Sequence, residues 1–327
     1  MVYKCKNCGG NVLYNPKSGR MVCDSCGGED SEEILKPEDP FTCPSCGSHI
    51  EVGEYDSSCK CEACGAPIIL DPRIEYPYGP DLALPFMIDK YDAVEALRTY
   101  AKDKLFIPGN FINAHMEDKL EGIYVPFWLY DFDTDVHYNA IGVKIRTWTS
   151  GDTEYTETSK YAVARELEID YSGYPADASI KMPDDMMDLV EPYDYGRMGK
   201  FDAKLLSGFS AERYNFDPNQ LEPRVKARMA KDTDAWINST ISGYNHMEGV
   251  QKRVDDKRKA TNFALLPVWD YKYHYKGREY HFYLNGQSGK IVGKSPVSPA
   301  RVFGLTATLF ATLAIFIQGL EQLLEML

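Results

Sequence analysis

The chain has 327 residues, 44% of them hydrophobic and 26% charged, which excludes a disordered polymer and a collagen-like one. Its 49 Asp and Glu against 36 Lys and Arg leave a net charge of −13, so it repels phosphate backbones unless a basic patch is segregated on one face. All nine cysteines lie between Cys5 and Cys64, the mark of a local metal framework rather than a disulfide-stapled fold.

No apolar stretch of the secretory type follows Met1. The chain instead opens on four knuckles: Cys5-Lys6-Asn7-Cys8-Gly9, Cys23-Asp24-Ser25-Cys26-Gly27, Cys43-Pro44-Ser45-Cys46-Gly47 and Cys61-Glu62-Ala63-Cys64-Gly65. A shift of 38 residues carries Cys5, Cys8, Cys23 and Cys26 onto Cys43, Cys46, Cys61 and Cys64. Two residues between paired cysteines let one tight turn aim both thiolates at one ion, and the following Gly tolerates the positive φ of such a turn. Tetrahedral thiolate sites favour zinc, with iron as competitor, and four cysteine ligands leave no open position for catalysis. Two structural zinc ribbons are expected, over 1–30 and 40–70, each folded largely by its metal. The 38-residue repeat argues for tandem pairing, although Cys26 and Cys43 are spaced almost as the knuckles within each copy. Val12 to Tyr14 and Met21-Val22, around Asn15-Pro16-Lys17-Ser18-Gly19, predict a hairpin. Cys59 is an odd thiol beside the ligands. Residues 28–42 and 71–85 read as linkers.

Residues 1–70 carry six basic side chains against eleven acidic ones, and each tetrathiolate zinc centre would add about −2. With no basic stripe, nucleic-acid binding is disfavoured and protein docking favoured.

The body, 86–298, reads as mixed helix and antiparallel sheet. Asp89–Leu105 predicts an amphipathic helix with Val94, Leu97 and Ala101 inward. Ile123–Tyr138 predicts a strand with Ala140–Trp148 as its hairpin partner, and Tyr155–Ile169 a strand pair or one long strand. Asp184–Leu189 and Gln220–Ile241 predict helices; Leu265–Tyr275, Glu279–Asn285 and Lys290–Val292 predict strands. At an offset of 141, Pro126-Phe127-Trp128 with Tyr130 and Phe132 is echoed by Pro267-Val268-Trp269 with Tyr271 and Tyr273, which suggests two related halves, 86–170 and 215–298. Aromatics at period two fit a sheet core better than a ligand groove. Asp131, Asp133, Asp135 and His137 share the other face, and there a solvated edge outweighs a divalent-ion site.

Catalytic signatures are lacking. Asn285-Gly286-Gln287-Ser288-Gly289-Lys290 has Leu284 and Ile291 where a phosphate loop needs Gly and Ser or Thr, so it reads as a turn. There is no His-Glu-x-x-His, no nucleophile elbow and no dinucleotide fingerprint. The six histidines have no ligand spacing, and no enzyme is expected.

Val302 to Leu320 runs nineteen residues without a charge, roughly 28 Å as a helix, close to the hydrocarbon thickness of a bilayer. Lys290, Lys294 and Arg301 precede it while Glu321 and Glu325 follow, which places the N-terminal part in the cytoplasm. A buried terminal helix and a helix lying in the membrane plane are the competing readings.

The chain also resembles a family of zinc-ribbon proteins of Gram-positive bacteria with a C-terminal membrane segment. The resemblance rests on Tyr124-Val125-Pro126-Phe127-Trp128 with Tyr130-Asp131, Trp148-Thr149-Ser150-Gly151-Asp152, Tyr155-Thr156-Glu157-Thr158-Ser159 and Glu191-Pro192-Tyr193-Asp194-Tyr195. It extends over Leu206 to Tyr214, Leu265-Leu266-Pro267-Val268-Trp269 and Asn285 to Lys290, from ribbons to membrane segment. Members carry transcription-factor-type or primosomal zinc-ribbon labels, inherited from the ribbon alone. The resemblance implies a membrane protein working beside envelope-stress proteins of the phage-shock-protein A type, with no catalytic residue. Two tandem ribbons depart from the single ribbon usual there. The expectation is therefore a single-pass, cytoplasm-facing adaptor that recruits protein partners at the cell membrane. The alternatives are a nucleic-acid-binding zinc-ribbon protein and a ligand receptor using the aromatic body.

Overall fold

The computed structural model describes residues 1–37, 39, 41–70 and 79–325. Most of the second expected linker, 71–78, lies outside the described residues. The fold is α+β, with fourteen strands and four α-helices among the described residues.

The ribbons supply β1 (Val2–Cys5), β2 (Val12–Asn15), β3 (Arg20–Cys23), β4 (Glu32–Leu35), β5 (Asp56–Lys60) and β6 (Pro67–Ile69). The expected hairpin is β2–β3, with Val12 opposite Cys23. The acidic stretch read as a linker instead contributes β4, which pairs antiparallel with β1. No alternation marks it: Glu33 and Ile34 both face solvent while Glu32 is held by Lys204 at 2.6 Å.

The body follows with β7 (Leu82–Ala83), α1 (Lys90–Lys102), β8 (Leu120–Ser150), β9 (Thr153–Asp177), α2 (Asp184–Val190), β10 (Gly199–Lys200), β11 (Ser210–Glu212), α3 (Pro218–Ser239), β12 (His246–Tyr275), β13 (Arg278–Asn285) and β14 (Ile291–Gly293). At about 3.3 Å per residue the 31 residues of β8 span on the order of 100 Å. The expected Ala140–Trp148 hairpin partner is therefore corrected: Ala140–Trp148 continues the same strand, and the chain turns only at Gly151 (φ +63°). The partner is β9, from Ser150 opposite Thr153 to Phe127 opposite Asp177. β12 also starts earlier than expected and pairs antiparallel along β8 from His246–Val143 to Tyr271–Leu120. Residues 140–150 and 246–262 are largely solvated on both faces, so no apolar alternation joins 140–150 to the strand before it or marks 246–262 as strand.

Between Leu120 and Phe132 both faces of β8 are covered. Tyr124, Trp128, Tyr130 and Phe132 face one core with α1 and α3, while Ile123, Val125, Phe127 and Leu129 face a second core under α2. β12 divides likewise, Leu265, Trp269, Tyr271 and Tyr273 against Ala264, Leu266 and Val268. The aromatic strands are core, with polar tips satisfied: Trp128 Nε1 donates to the Phe216 carbonyl at 2.8 Å and the Tyr130 hydroxyl to that of Pro218 at 2.6 Å. The echoed motifs lie side by side and antiparallel, with Val125 opposite Leu266, positions 141 apart. Pro126 O accepts Ala178 N–H at 2.8 Å and Pro267 O accepts Gly286 N–H at 2.9 Å, matching bonds in the two copies.

α1 begins at Asp89, whose side chain accepts the Asp92 amide, and buries Ala93, Val94, Leu97 and Ala101. α3 has a capping box, Asp217 with Gln220. Past this body runs α4 (Pro299–Glu325), solvent-exposed over its apolar length.

Candidate metal centres and membrane helix

Each knuckle is a closed backbone turn. Cys5 N–H bonds Gly10 O at 2.9 Å while Gly9 N–H returns to Cys5 O at 2.8 Å, and the same pair of bonds recurs at Cys23, Cys43 and Cys61. The glycines expected to need a positive φ have one: Gly9 +76°, Gly27 +70°, Gly47 +76° and Gly65 +72°. In every knuckle the first cysteine is buried and the second exposed, so each cage has two inner and two outer sulfurs.

The turns bring the sulfurs together as tandem pairs. Cys5, Cys8, Cys23 and Cys26 form one group and Cys43, Cys46, Cys61 and Cys64 another, with all ligand atoms of a group within 4.8 Å of one another. The pairing left open by spacing is therefore first knuckle with second and third with fourth. Sulfur–sulfur distances are 3.7 Å for Cys5–Cys26, 3.5 Å for Cys8–Cys23, 3.7 Å for Cys43–Cys64 and 3.8 Å for Cys46–Cys61. A tetrahedral ion with bonds of about 2.3 Å sets its sulfurs roughly 3.8 Å apart, so both cages fit a metal and none of these pairs is a disulfide.

Outer groups tune the cages, and sequence reading missed them. The Ser31 hydroxyl sits 3.4 Å from Cys5 Sγ, and with the Asn7 amide it lowers that thiol to about 6. Ser48, 3.3 Å from Cys46 Sγ, does the same there, also to about 6, whereas burial raises Cys43 to about 12. Four thiols in one cage do not ionise together without a cation to compensate them. The cages could hold a metal ion each. No other grouping of three or more metal-binding side chains occurs among the described residues.

The acidic row on β8 is explained by neighbours rather than by an ion. Asp133 pairs with Lys259 at 2.7 Å, Asp135 with Lys257 at 3.6 Å and His137 with Glu166 at 3.7 Å, while Asp131 accepts the Gly173 amide. It is not an edge, since β9 and β12 flank it.

A polar cleft of about 430 Å³ opens where β5, β8, β11, β12 and β13 meet, lined by Asp56, Glu121, Lys181, Glu212, Asp270 and His281 among others. Both ring nitrogens of His281 are engaged, Nδ1 with Asp270 at 3.0 Å and Nε2 with Glu279 at 3.1 Å. The histidine links two carboxylates and offers no free nitrogen for base chemistry. The Asn285–Lys290 turn is built on Asn285 Oδ1, which accepts the amides of Gln287 and Ser288 at 2.9 Å.

At the other end of the chain Pro299–Leu320 is long and apolar enough to cross a membrane, and none of that apolar window is buried against the body. The terminal helix is thus not packed into the body of its own chain.

The chain is 34% identical over 312 residues to the uncharacterized protein YdjG of Bacillus subtilis (strain 168), a match covering 92% of this chain and 91% of YdjG. It belongs to the YdjG family. The match to YdjG leaves few residues of either chain outside it. No family model matches the chain. No solved structure matches it.

Proposed function

We propose that this member of the YdjG family is a membrane-anchored adaptor, with two structural zinc ribbons and a rigid α+β body held at the cytoplasmic face of the cell membrane by α4. The observation that carries the reading is the combination, in one chain, of two closed four-sulfur cages with an apolar helix that has no partner in the body. An all-cysteine cage supplies stability and shape, since it keeps no open coordination position, and an unpartnered apolar helix of this length belongs in lipid. Zinc suits the donor set, and Lys290, Lys294 and Arg301 before the helix favour a cytoplasmic body. Protein is the fitting partner class, because the ribbons are acidic and each zinc centre keeps surplus negative charge. The resemblance to zinc-ribbon membrane proteins points to an envelope-stress protein of the phage-shock-protein A type. Tethering would concentrate such a partner at the bilayer without new chemistry.

The test is purification of the full-length chain from gently solubilised membranes of its host. A stoichiometric protein partner and two zinc ions per chain support the proposal. Recovery in the soluble fraction with nucleic acid, in amounts falling steeply with salt, overturns it for the nucleic-acid reading.

A further inference from the structure

The root of α4 is built into a particular corner of the body. Ser298 N–H bonds Phe106 O at 2.8 Å, the Tyr100 hydroxyl meets Ser295 Oγ at 2.9 Å, and the Arg301 guanidinium reaches Gly109 so closely that a Cβ there would lie 3.4 Å from it. That corner is the loop after α1, residues 103–116. Its inward side chains pin it firmly: Ile107, Phe111 and Met116 are buried, and the Phe111 ring packs edge-on to Tyr271, Tyr273 and Phe282 at 4.9–5.4 Å. Its outward side chains are apolar too. Leu105 is 71% exposed, Phe106 38% and Ile112 39%, and Val297 just before the helix is 58% exposed.

Single exposed apolar residues are ordinary, but four gathered around the start of an apolar helix form a patch. Basic groups accompany them: Lys102 and Lys104 are exposed, Lys104 lies over the Tyr100 ring at 5.1 Å, and Arg301 stands one residue before the uncharged run. Asp103 is the one acidic residue between Lys102 and Leu105, with Glu117 and Asp118 further along. Apolar tips beside aromatic rings and amines are the composition of a lipid–water interface.

We infer that the 103–112 loop and Val297 form a second membrane contact, a collar around the root of α4 that sinks Leu105, Phe106 and Ile112 into the bilayer interface. The occupant is a lipid surface, because the patch is continuous with the helix that enters the lipid. A loop bonded to Ser298 and close to the Arg301 guanidinium lies within about one helical turn, roughly 5 Å, of where the apolar run begins. The inference rests on α4 spanning or entering the membrane as proposed above. It adds that the body is held at a fixed attitude on the bilayer rather than swinging on its tether.

The test uses the full-length chain in phosphatidylcholine–phosphatidylglycerol vesicles, with one environment-sensitive fluorescent amino acid replacing Leu105, Phe310 or Trp148 in turn. All three positions are exposed, so the body tolerates the probe. Acyl-brominated lipids should quench the probe at 310 strongly and the probe at 105 at least twofold, best with shallow bromines, while the probe at 148 is unaffected. Quenching at 310 with a water-like probe at 105 overturns the collar and leaves the anchor standing. A probe at 105 shielded from water yet untouched by bromolipid overturns it in favour of a protein contact. No quenching at 310 sinks the anchor itself, and the collar with it.

Discussion

The two ribbons share a sequence repeat and a cage, yet they are mounted differently. Ribbon 2 is hydrogen-bonded into the main sheet through its backbone: Ser58 pairs with Ala211 and Asp56 with Glu212, so β5 and β6 extend the sheet beyond β11. Its own core, Cys43, Ile50, Cys61, Ala66, Ile68 and Leu70, is a separate cluster that also takes in Val2. Ribbon 1 keeps its two small sheets to itself and docks on the body. Tyr3, Cys5, Val12, Met21 and Cys23 belong to the main core, and Ser207 clamps β2 by donating its hydroxyl to Val12 O at 2.6 Å and accepting the Tyr14 amide at 2.9 Å. A repeat in sequence therefore fixed the metal cage and left the mounting to residues outside it.

Removing the metals should give the largest effect and expose that difference. Structural zinc is worth on the order of 10 kcal/mol to an isolated small domain. Cys5→Ser should take metal content from two ions per chain to one and cost more than about 4 kcal/mol, because its sulfur lies in the main core. Cys43→Ser should lose one ion as well, with damage confined to the satellite cluster. Metal analysis together with hydrogen exchange checks this: Cys5→Ser should deprotect the Tyr124–Phe132 segment of β8, and Cys43→Ser should not. Equal deprotection by both would mean that the two mountings are energetically the same.

The body can be perturbed without touching either ribbon. Arg224 holds Asp177 at 2.9 Å and Asp188 at 2.8 Å, and Arg228 holds Asp188 at 2.9 Å and Glu191 at 3.3 Å, tying α3 to α2. Burial outweighs these cations, lifting Asp177 to about 6 and Glu191 to about 7. In the unfolded chain both lose their proton near pH 4, so the folded chain binds more protons between roughly pH 4 and 7. Stability from these groups is complete below pH 4 and is lost as pH rises to 7, by roughly 3 kcal/mol for each group. Thermal unfolding in detergent at fixed free zinc should show the wild type losing stability relative to Glu191→Gln as pH rises from 4 to 7, since the ribbons contribute equally to both. Metal-held thiolates carry the opposite sign, since zinc binding releases protons, so the ribbons gain stability over the same range.

Sequence reading reached the cages, the hairpin, the three body helices and the terminal apolar helix because each has a local signature: fixed cysteine spacing, turn residues, 3.6-residue periodicity or unbroken hydropathy. It missed what depends on distant neighbours. The 140–150 stretch reads as a strand but not as a continuation of the one before it, and 246–262 does not read as strand, because three chain segments pair there and no apolar face marks them. β4 looked like a charged linker because its partner, β1, lies nearly thirty residues away. The loop beside α4 gave no motif at all; Leu105, Phe106 and Ile112 acquire meaning only once the helix is seen to start next to them.

Smaller effects can separate cage from mounting. Ser207→Ala should loosen ribbon 1 by about 1–2 kcal/mol, since it leaves the buried Val12 carbonyl without its donor. Ser58→Ala removes a buried bond to Phe209 O at 2.9 Å but leaves the β5–β11 ladder intact, so about 1 kcal/mol is expected. The last comparison is Gly9→Ala against Gly47→Ala. Both glycines have φ +76° and open space where a Cβ would stand, so the cost is only that of a left-handed alanine. That is about 1–2 kcal/mol, less the entropy that alanine removes from the unfolded chain, leaving about 1 kcal/mol in each ribbon. Equal values from thermal unfolding would show that the cages are interchangeable and that every larger asymmetry belongs to the mounting. A difference above about 0.5 kcal/mol would place part of it in the cages, where Ser48 occupies the position that Gly10 holds in ribbon 1 and sets a hydroxyl beside Cys46, the counterpart of Cys8, whereas the hydroxyl of ribbon 1, from Ser31, stands beside Cys5.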